Sequence, residues 1–236
     1  MEALATSYNR ELKAAPISAN RADELSNLYI LPENLAGLKI LDLGGSQSNF
    51  CAYLVENGAD AYSIDPLYSD LENLEKRRRE HFLTEVEAIL PDLKGKLDPN
   101  DPRFVSGLEK DESTQVFKRS IFYNPGRYIS ASFHALPFKD ELFDIITSSY
   151  SIFGVATRDE VLLEAAFSEA LRALKPGGTL QLIPVTFTPG LSEAENQNLI
   201  NILRPFQSDH NYKLSFLKGH LGGTVVGRLA IEKLNK

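Results

Sequence analysis

The run LDLGGSQSNF, Leu41 to Phe50, decides how this chain folds. It closes the stretch LKILDL, Leu38 to Leu43, whose nearly unbroken hydrophobicity is that of a strand buried on both faces of a parallel sheet. Gly44 and Gly45 follow, and residues without side chains let backbone come close to a ligand. Ser46 and Ser48 stand where glycine-rich nucleotide turns usually carry glycine. Both are small, and their hydroxyls suit a helix cap or a ligand contact. A G-x-G-x-x-G fingerprint begun at Gly44 would need two further glycines where Ser46 and Asn49 stand, so the dinucleotide reading fails. No G-x-x-x-x-G-K-[ST] run exists, which removes the P-loop reading as well.

Outward from this turn, short β-rich runs alternate with amphipathic segments, as in a parallel α/β sheet. The pattern predicts a helix from about Asn49 to Asn57, stopped at Gly58, then a strand over Ala59 to Asp65. Ser69 and Glu72 form a capping-box pattern, with Leu71, Leu74, Phe82, Val86 and Ile89 at near-helical spacing before Pro91. Lys94 to Asp111 is rich in proline, glycine and charge, and a third strand is expected only at Tyr128 to Ser132. About twice the residues that a compact unit needs lie between these strands, which marks a helical insertion over about 67–127. FDIITSSYS, Phe143 to Ser151, is the expected fourth strand. Thr157 and Glu160 then cap a helix that Pro176, Gly177 and Gly178 terminate. TLQLIPVTF, Thr179 to Phe187, is the fifth. Ser192 and Glu195 cap a helix bearing Leu199, Ile202 and Leu203, and YKLSFLK with TVVGRLAIEKL reads as a hairpin around Gly222 and Gly223.

The 236 residues suit one domain, with 1–36 as an N-terminal cap segment. Hydrophobic residues make up 43% and charged residues 24%, the balance of an ordinary globular protein. A net charge of -7 speaks against a general nucleic-acid-binding surface. The basic run Lys76 to Arg79 is flanked by Glu72, Glu75, Glu80, Glu85 and Glu87, the composition of a salt-bridged, solvated face. A single cysteine, Cys51, excludes an intrachain disulfide, and the histidines lack metal-ligand spacing, so no metal is expected. No run reads as a signal peptide or a membrane span, and the cytoplasm is the expected compartment.

A set of motifs in fixed order resembles the class I S-adenosylmethionine-dependent methyltransferase family. They are Asp42-Leu43-Gly44, the later Asp65, Ala135 to Phe138, Phe143 to Ile146, and Glu169 to Gly178 followed by a strand. The similarity covers roughly Leu38 to Phe187, interrupted by the insertion. It implies a Rossmann-like, seven-stranded, mostly parallel sheet with a C-terminal antiparallel hairpin and helices on both faces. It also implies S-adenosylmethionine as cofactor. On the family pattern, Asp42, Gly44, Gly45 and Ser46 would lie by the methionine moiety, and Asp65 would accept both ribose hydroxyls. Pro66 and Leu67 would pack on the adenine face, and Ser132 and Phe133 would take the adenine-contact positions. Ser148 and Ser149 would line the methyl-donor side, with Tyr150 and Phe153 toward the substrate. The resemblance implies methyl transfer to a small-molecule acceptor, with His134 and Tyr150 as candidate catalytic groups and Tyr8 and Arg10 reaching in from the cap. Ser46, Ser48 and Ser132 depart from the usual pattern, and with the long charged insertion they also motivate a second reading. That reading is a catalytically silent methyltransferase-like domain used for protein interaction.

Overall fold

Leucine and isoleucine at alternate and adjacent positions make Lys39–Leu43 the central strand, β1, and its last four residues are buried. In a computed structural model of the chain, the described residues are 29–76, 79–80, 83, 95–96, 98, 100–102, 105, 112–149, 151–152, 160–183, 201, 203–206, 208–221 and 224–235. Helix α1 (Phe50–Glu56) buries Phe50, Cys51, Ala52 and Leu54. Gly58 then turns the chain in the left-handed region at φ 89, a conformation that a residue with a Cβ adopts only at a cost. Strand β2 (Asp60–Ile64) returns parallel to β1, with Asp42 opposite Ser63.

The chain then departs from expectation. Pro66–Ser69 is a 3-10 turn capped by the Asp65 side chain. Asp70, not Ser69, starts the following helical stretch, because its Oδ1 accepts the Asn73 amide at 3.0 Å. Ser69 instead donates its hydroxyl back to the Pro66 carbonyl at 3.2 Å. Phe82, Val86, Ile89, Thr157, Ser192, Glu195, Leu199, Ile202, Gly222 and Gly223 lie outside the described residues, as do Tyr8, Arg10, Tyr150 and Phe153. Within the insertion, α2 (Glu112–Tyr123) is a helix the spacing of residues did not announce. Phe117 carries its attachment: the ring lies 6.1 Å from Tyr68 and 5.6 Å from Tyr128, centroid to centroid. Tyr68 and Tyr128 meet edge-on at 5.5 Å, so the three rings pin α2 against the β2 side of the sheet.

Strand β3 keeps only Tyr128–Ile129 of the five residues expected. Ser130 donates its hydroxyl to the Pro66 carbonyl at 2.9 Å and Ser132 pairs with Ala135 in an isolated bridge, which takes the chain off the sheet. β4 (Phe143–Ser149) is buried along most of its length. α3 (Glu160–Ala173) buries Leu163, Ala166, Phe167, Ala170 and Leu171. β5 (Leu174–Ile183) begins earlier than expected, with a register shift opposite Phe143 to Ile145 and Gly177 at φ 79. β6 (Tyr212–Leu221) and β7 (Thr224–Lys233) form the antiparallel hairpin.

The seven-stranded order is β3-β2-β1-β4-β5-β7-β6. β7 is antiparallel to both neighbours, so β6 again runs with the parallel set. One face of the sheet packs on α3 through Leu41, Leu43, Ile146, Leu180 and Leu182. The other packs on α1, with Ile40, Ala61, Ile145, Tyr29 and Tyr68 in that second core. Strand order reverses between β1 and β4, and ligands of such sheets bind in the crevice beyond the carboxyl ends at that reversal. Among the described residues no helix is long and apolar enough to cross a membrane.

Candidate functional site

The turn after β1 is built by its two glycines in different ways. Gly44 sits at φ 70, and a Cβ there would run into Ser151. A Cβ on Gly45 would collide with Ser63 Oγ and come within 2.8 Å of Tyr68 Oη and 2.9 Å of Asp42 Oδ2. Both amides donate to the Ile64 carbonyl, at 2.8 and 3.1 Å, which draws the loop over the end of β2. Ser46 adopts φ 48, the left-handed region that its glycine equivalent would occupy freely. The serine therefore keeps the loop's shape and carries the strain itself. Its N–H donates to Asp65 Oδ2 at 3.2 Å, and Asp65 Oδ1 accepts from Leu67 N at 2.9 Å. One carboxylate thus ties the glycine turn to the turn after β2. Ser48 Oγ accepts the Phe50 amide at 3.0 Å in a local turn just ahead of α1, whose N-cap Asn49 makes no side-chain cap.

Beneath this loop the strands align polar side chains in one row. Ser63 lies opposite Asp42, Asp42 opposite Thr147, and Thr147 opposite Gln181. In-register parallel neighbours share a face, so the four lie side by side, and all four are buried. Thr147 donates its hydroxyl to Asp42 Oδ1 at 3.2 Å. Burial pushes Asp42 from the ordinary 3.8 up to about 7, the Thr147 bond opposing and the Asp65 charge adding to the rise. Gln181 uses its whole amide on the backbone of Ile30, accepting from the N–H at 2.7 Å and donating to the carbonyl at 2.8 Å. That clamp seats Tyr29 over the row, its ring 5.3 Å from Phe50. Burial and the Asp42 charge raise the Tyr29 phenol well above its ordinary value. Among the described residues the buried Tyr29 Oη and Ser149 Oγ make no hydrogen bond of ordinary geometry, although Ser149 and Thr147 stand close enough to oppose the rise of the Tyr29 phenol.

The β4 side closes the crevice. Ser148, opposite Leu43, shares a 2.6 Å hydrogen bond with Ser151, whose hydroxyl donates to the Leu43 carbonyl at 2.6 Å. On the β3 side the Asp65 amide donates to the Ile129 carbonyl at 3.2 Å and Ser130 to the Pro66 carbonyl, so the Ser132 turn leaves the sheet on the flank of Asp65 and Pro66. Ser132 Oγ lies 2.7 Å from His134 Nδ1, while Phe133 is buried behind them. Downstream, Glu169 accepts the Leu136 amide at 2.8 Å, and Arg172 donates to the carbonyls of Leu136 and Phe138. The Arg172 hydrogen bond holds the Glu169 carboxyl below its ordinary range.

The structure thus brings together Asp42, Gly44, Gly45, Ser46, Asp65, Pro66 and Leu67 around one loop. Ser148 and Ser149 stand across the strand reversal, and Ser132, Phe133 and His134 stand on the β3 flank. Cys51 is buried in the α1 core and its thiol pushed up to about 12 by burial, so it takes no part. Tyr29 and Gln181 were not singled out from the sequence. A lone tyrosine near the N-terminus carries no signal, but a glutamine inside the apolar run TLQLI does.

Residues 103–182, from the insertion through most of β5, match a family model described as a methyltransferase domain. The fold is that of the class I methyltransferases. A ubiquinone/menaquinone biosynthesis C-methyltransferase of Shewanella pealeana is 43% identical over 86 residues, 36% of this chain and 30% of that protein. Its counterpart in Idiomarina loihiensis is 35% identical over 113 residues, 48% of this chain and 38% of that protein. The chain therefore matches about a third of the length of these curated relatives. A crystal structure of a Pyrococcus horikoshii protein superposes on this chain with a TM-score of 0.50, at 13% identity over 90% of this chain and 87% of that one. A 1,6-didemethyltoxoflavin-N1-methyltransferase of Burkholderia thailandensis, crystallised with S-adenosylhomocysteine, gives 0.49 at 12% identity over 97% and 81%.

Proposed function

We propose that this chain transfers a methyl group from S-adenosylmethionine to a small-molecule acceptor. The observation that carries the reading is the turn at Gly44 and Gly45, packed so closely on Ser151 and Ser63 that neither position can bear a side chain, set at the strand reversal with Asp65 beside it. When bound, the cofactor would supply a methyl group on a sulfonium that leaves as a neutral thioether.

In this reading Gly44, Gly45 and Ser46 admit the methionine moiety, while Asp42 supports their loop from below. Asp65, whose carboxylate already ties the two turns together, takes the ribose hydroxyls as an acceptor-only group. Pro66 and Leu67 form the apolar wall for the base, and Ser132 and Phe133 stand at its edge. Ser148 and Ser149 line the methyl side. In-line displacement asks the protein mainly to align the acceptor and exclude water, so a dedicated base is needed only for a protonated acceptor. Tyr150 is the group we assign to that task, while His134 is held at the edge of the base by its 2.7 Å contact with Ser132. A small-molecule acceptor accords with relatives named for C-methylation in quinone biosynthesis, and with a net charge of -7 that gives nucleic acid no broad docking surface. The cytoplasm suits a chain whose single cysteine is buried and unpaired.

Isothermal titration with S-adenosylmethionine and S-adenosylhomocysteine tests this. Absence of binding at millimolar ligand would sink it. Asp65→Ala should weaken both ligands by about 1–3 kcal/mol, the range for hydrogen bonds to a charged group. Cofactor binding with no turnover on any acceptor class would instead favour the silent, protein-interacting reading.

A further inference from the structure

We propose that His134 is a positioning residue: its Nδ1 accepts a hydrogen bond from the Ser132 hydroxyl and so fixes Ser132 Oγ as an acceptor for the exocyclic amine of the cofactor's purine. This rests on the S-adenosylmethionine reading of the site.

The geometry begins with the 2.7 Å contact between Ser132 Oγ and His134 Nδ1. The two residues belong to one tight turn, closed by the Ala135 amide donating to the Ser132 carbonyl at 3.1 Å. The turn is held at both ends. Before it, Ile129 pairs with Ile64 and Ser130 is bonded to Pro66. After it, Leu136 is bonded to Glu169 and Arg172. The imidazole also meets the buried Phe133 ring edge-on at 5.8 Å, which limits its rotation. The pair is therefore pre-set, and its hydroxyl stands on the same flank as Asp65, Pro66 and Leu67.

A serine hydroxyl has one proton and two lone pairs, and a free one rotates to donate or accept as its partner requires. It would read an amino-purine and an oxo-purine alike. With its proton committed to Nδ1, Oγ offers lone pairs alone. It then acts toward an N–H donor as a carboxylate oxygen would, without bringing a charge into the site. In neutral histidine one nitrogen accepts while the other carries the proton, so this arrangement assigns the Nε2–H tautomer to His134. Ser132 departs from the acidic residue common at this place, and His134 restores the lost polarity of the contact.

The test is titration calorimetry with S-adenosylhomocysteine and with its inosine analogue, in which a carbonyl replaces the exocyclic amine. The wild type should prefer the amino form by about tenfold or more. His134→Ala should bring the preference to within about twofold, since the freed hydroxyl can serve either ligand. His134→Asn, whose Oδ1 can stand in for Nδ1, should retain the preference. Ser132→Asp in the His134→Ala background should restore it. Each preference is a ratio within one variant, so a loss of folded protein does not mimic the effect. An undiminished preference in His134→Ala would overturn the proposal, as would a wild-type preference for the inosine analogue, which means the opposite tautomer. Equal binding of both ligands by the wild type overturns this proposal alone. Binding of neither overturns the cofactor reading with it.

Discussion

Replacing Asp42 by asparagine should remove a pH dependence of stability that the wild type carries near neutrality. Asp42 is 3% exposed, and burial raises it from 3.8 to about 7 in the folded chain. A carboxyl raised on folding binds its proton more tightly in the native state. Its full contribution is therefore present below the unfolded value and is lost as pH climbs toward the folded one. A rise of about three units corresponds to roughly 4 kcal/mol in total. Between about pH 5 and pH 8 the loss is about 2.5 kcal/mol, because part of it has already occurred by the lower pH. Asparagine stays neutral throughout, its Oδ1 can still accept from Thr147, and its amide faces Ser63 and Tyr68 oxygens around Gly45. Urea unfolding of both proteins across that range checks the effect. The stability difference, wild type minus Asp42→Asn, should fall by about 2.5 kcal/mol from the lower to the higher pH. Parallel curves would refute the placement of Asp42 in a dry row beneath the loop.

Other substitutions probe the same loop and its support. Gly45→Ala should cost about 1–3 kcal/mol by overpacking, measured by urea unfolding, since its methyl meets three fixed oxygens. Ser46→Gly should raise stability by about 1 kcal/mol by relieving the left-handed serine, and thermal melts should show the corresponding gain. Phe117→Ala should cost about 3–5 kcal/mol, as for other buried aromatics, and should expose α2 to limited proteolysis.

The sheet was legible because its strands are apolar runs bounded by glycine and proline, and Gly44, Gly45 and Gly58 stand where the backbone needs them. Asp65 was legible as the residue just past β2, but the two hydrogen bonds it accepts from the Ser46 and Leu67 amides were not. Sequence spacing predicts a strand end, not the direction of a carboxylate. A serine at 46 announces no left-handed backbone, yet Ser46 takes glycine's torsions because the neighbouring Ile64 and Asp65 contacts dictate the turn. α2 escaped notice because its apolar face is short: Phe117 is fully buried while Phe122 and Tyr123 at its end are exposed. The polar row could have been assembled only with the register in hand. Ser63, Asp42, Thr147 and Gln181 are far apart in the chain, and only parallel pairing makes them neighbours.

The Gln181 clamp has a consequence for how the molecule opens. Its amide supplies Ile30 with both a donor and an acceptor, the service a neighbouring strand would give, yet it comes from one side chain rooted in the central sheet. Residues 29 and 30 consequently share the fate of β5. Their amides should exchange with solvent only in the same cooperative event that opens the central strands. A glutamine therefore carries the most resistant part of the fold out beyond the sheet to residues 29 and 30.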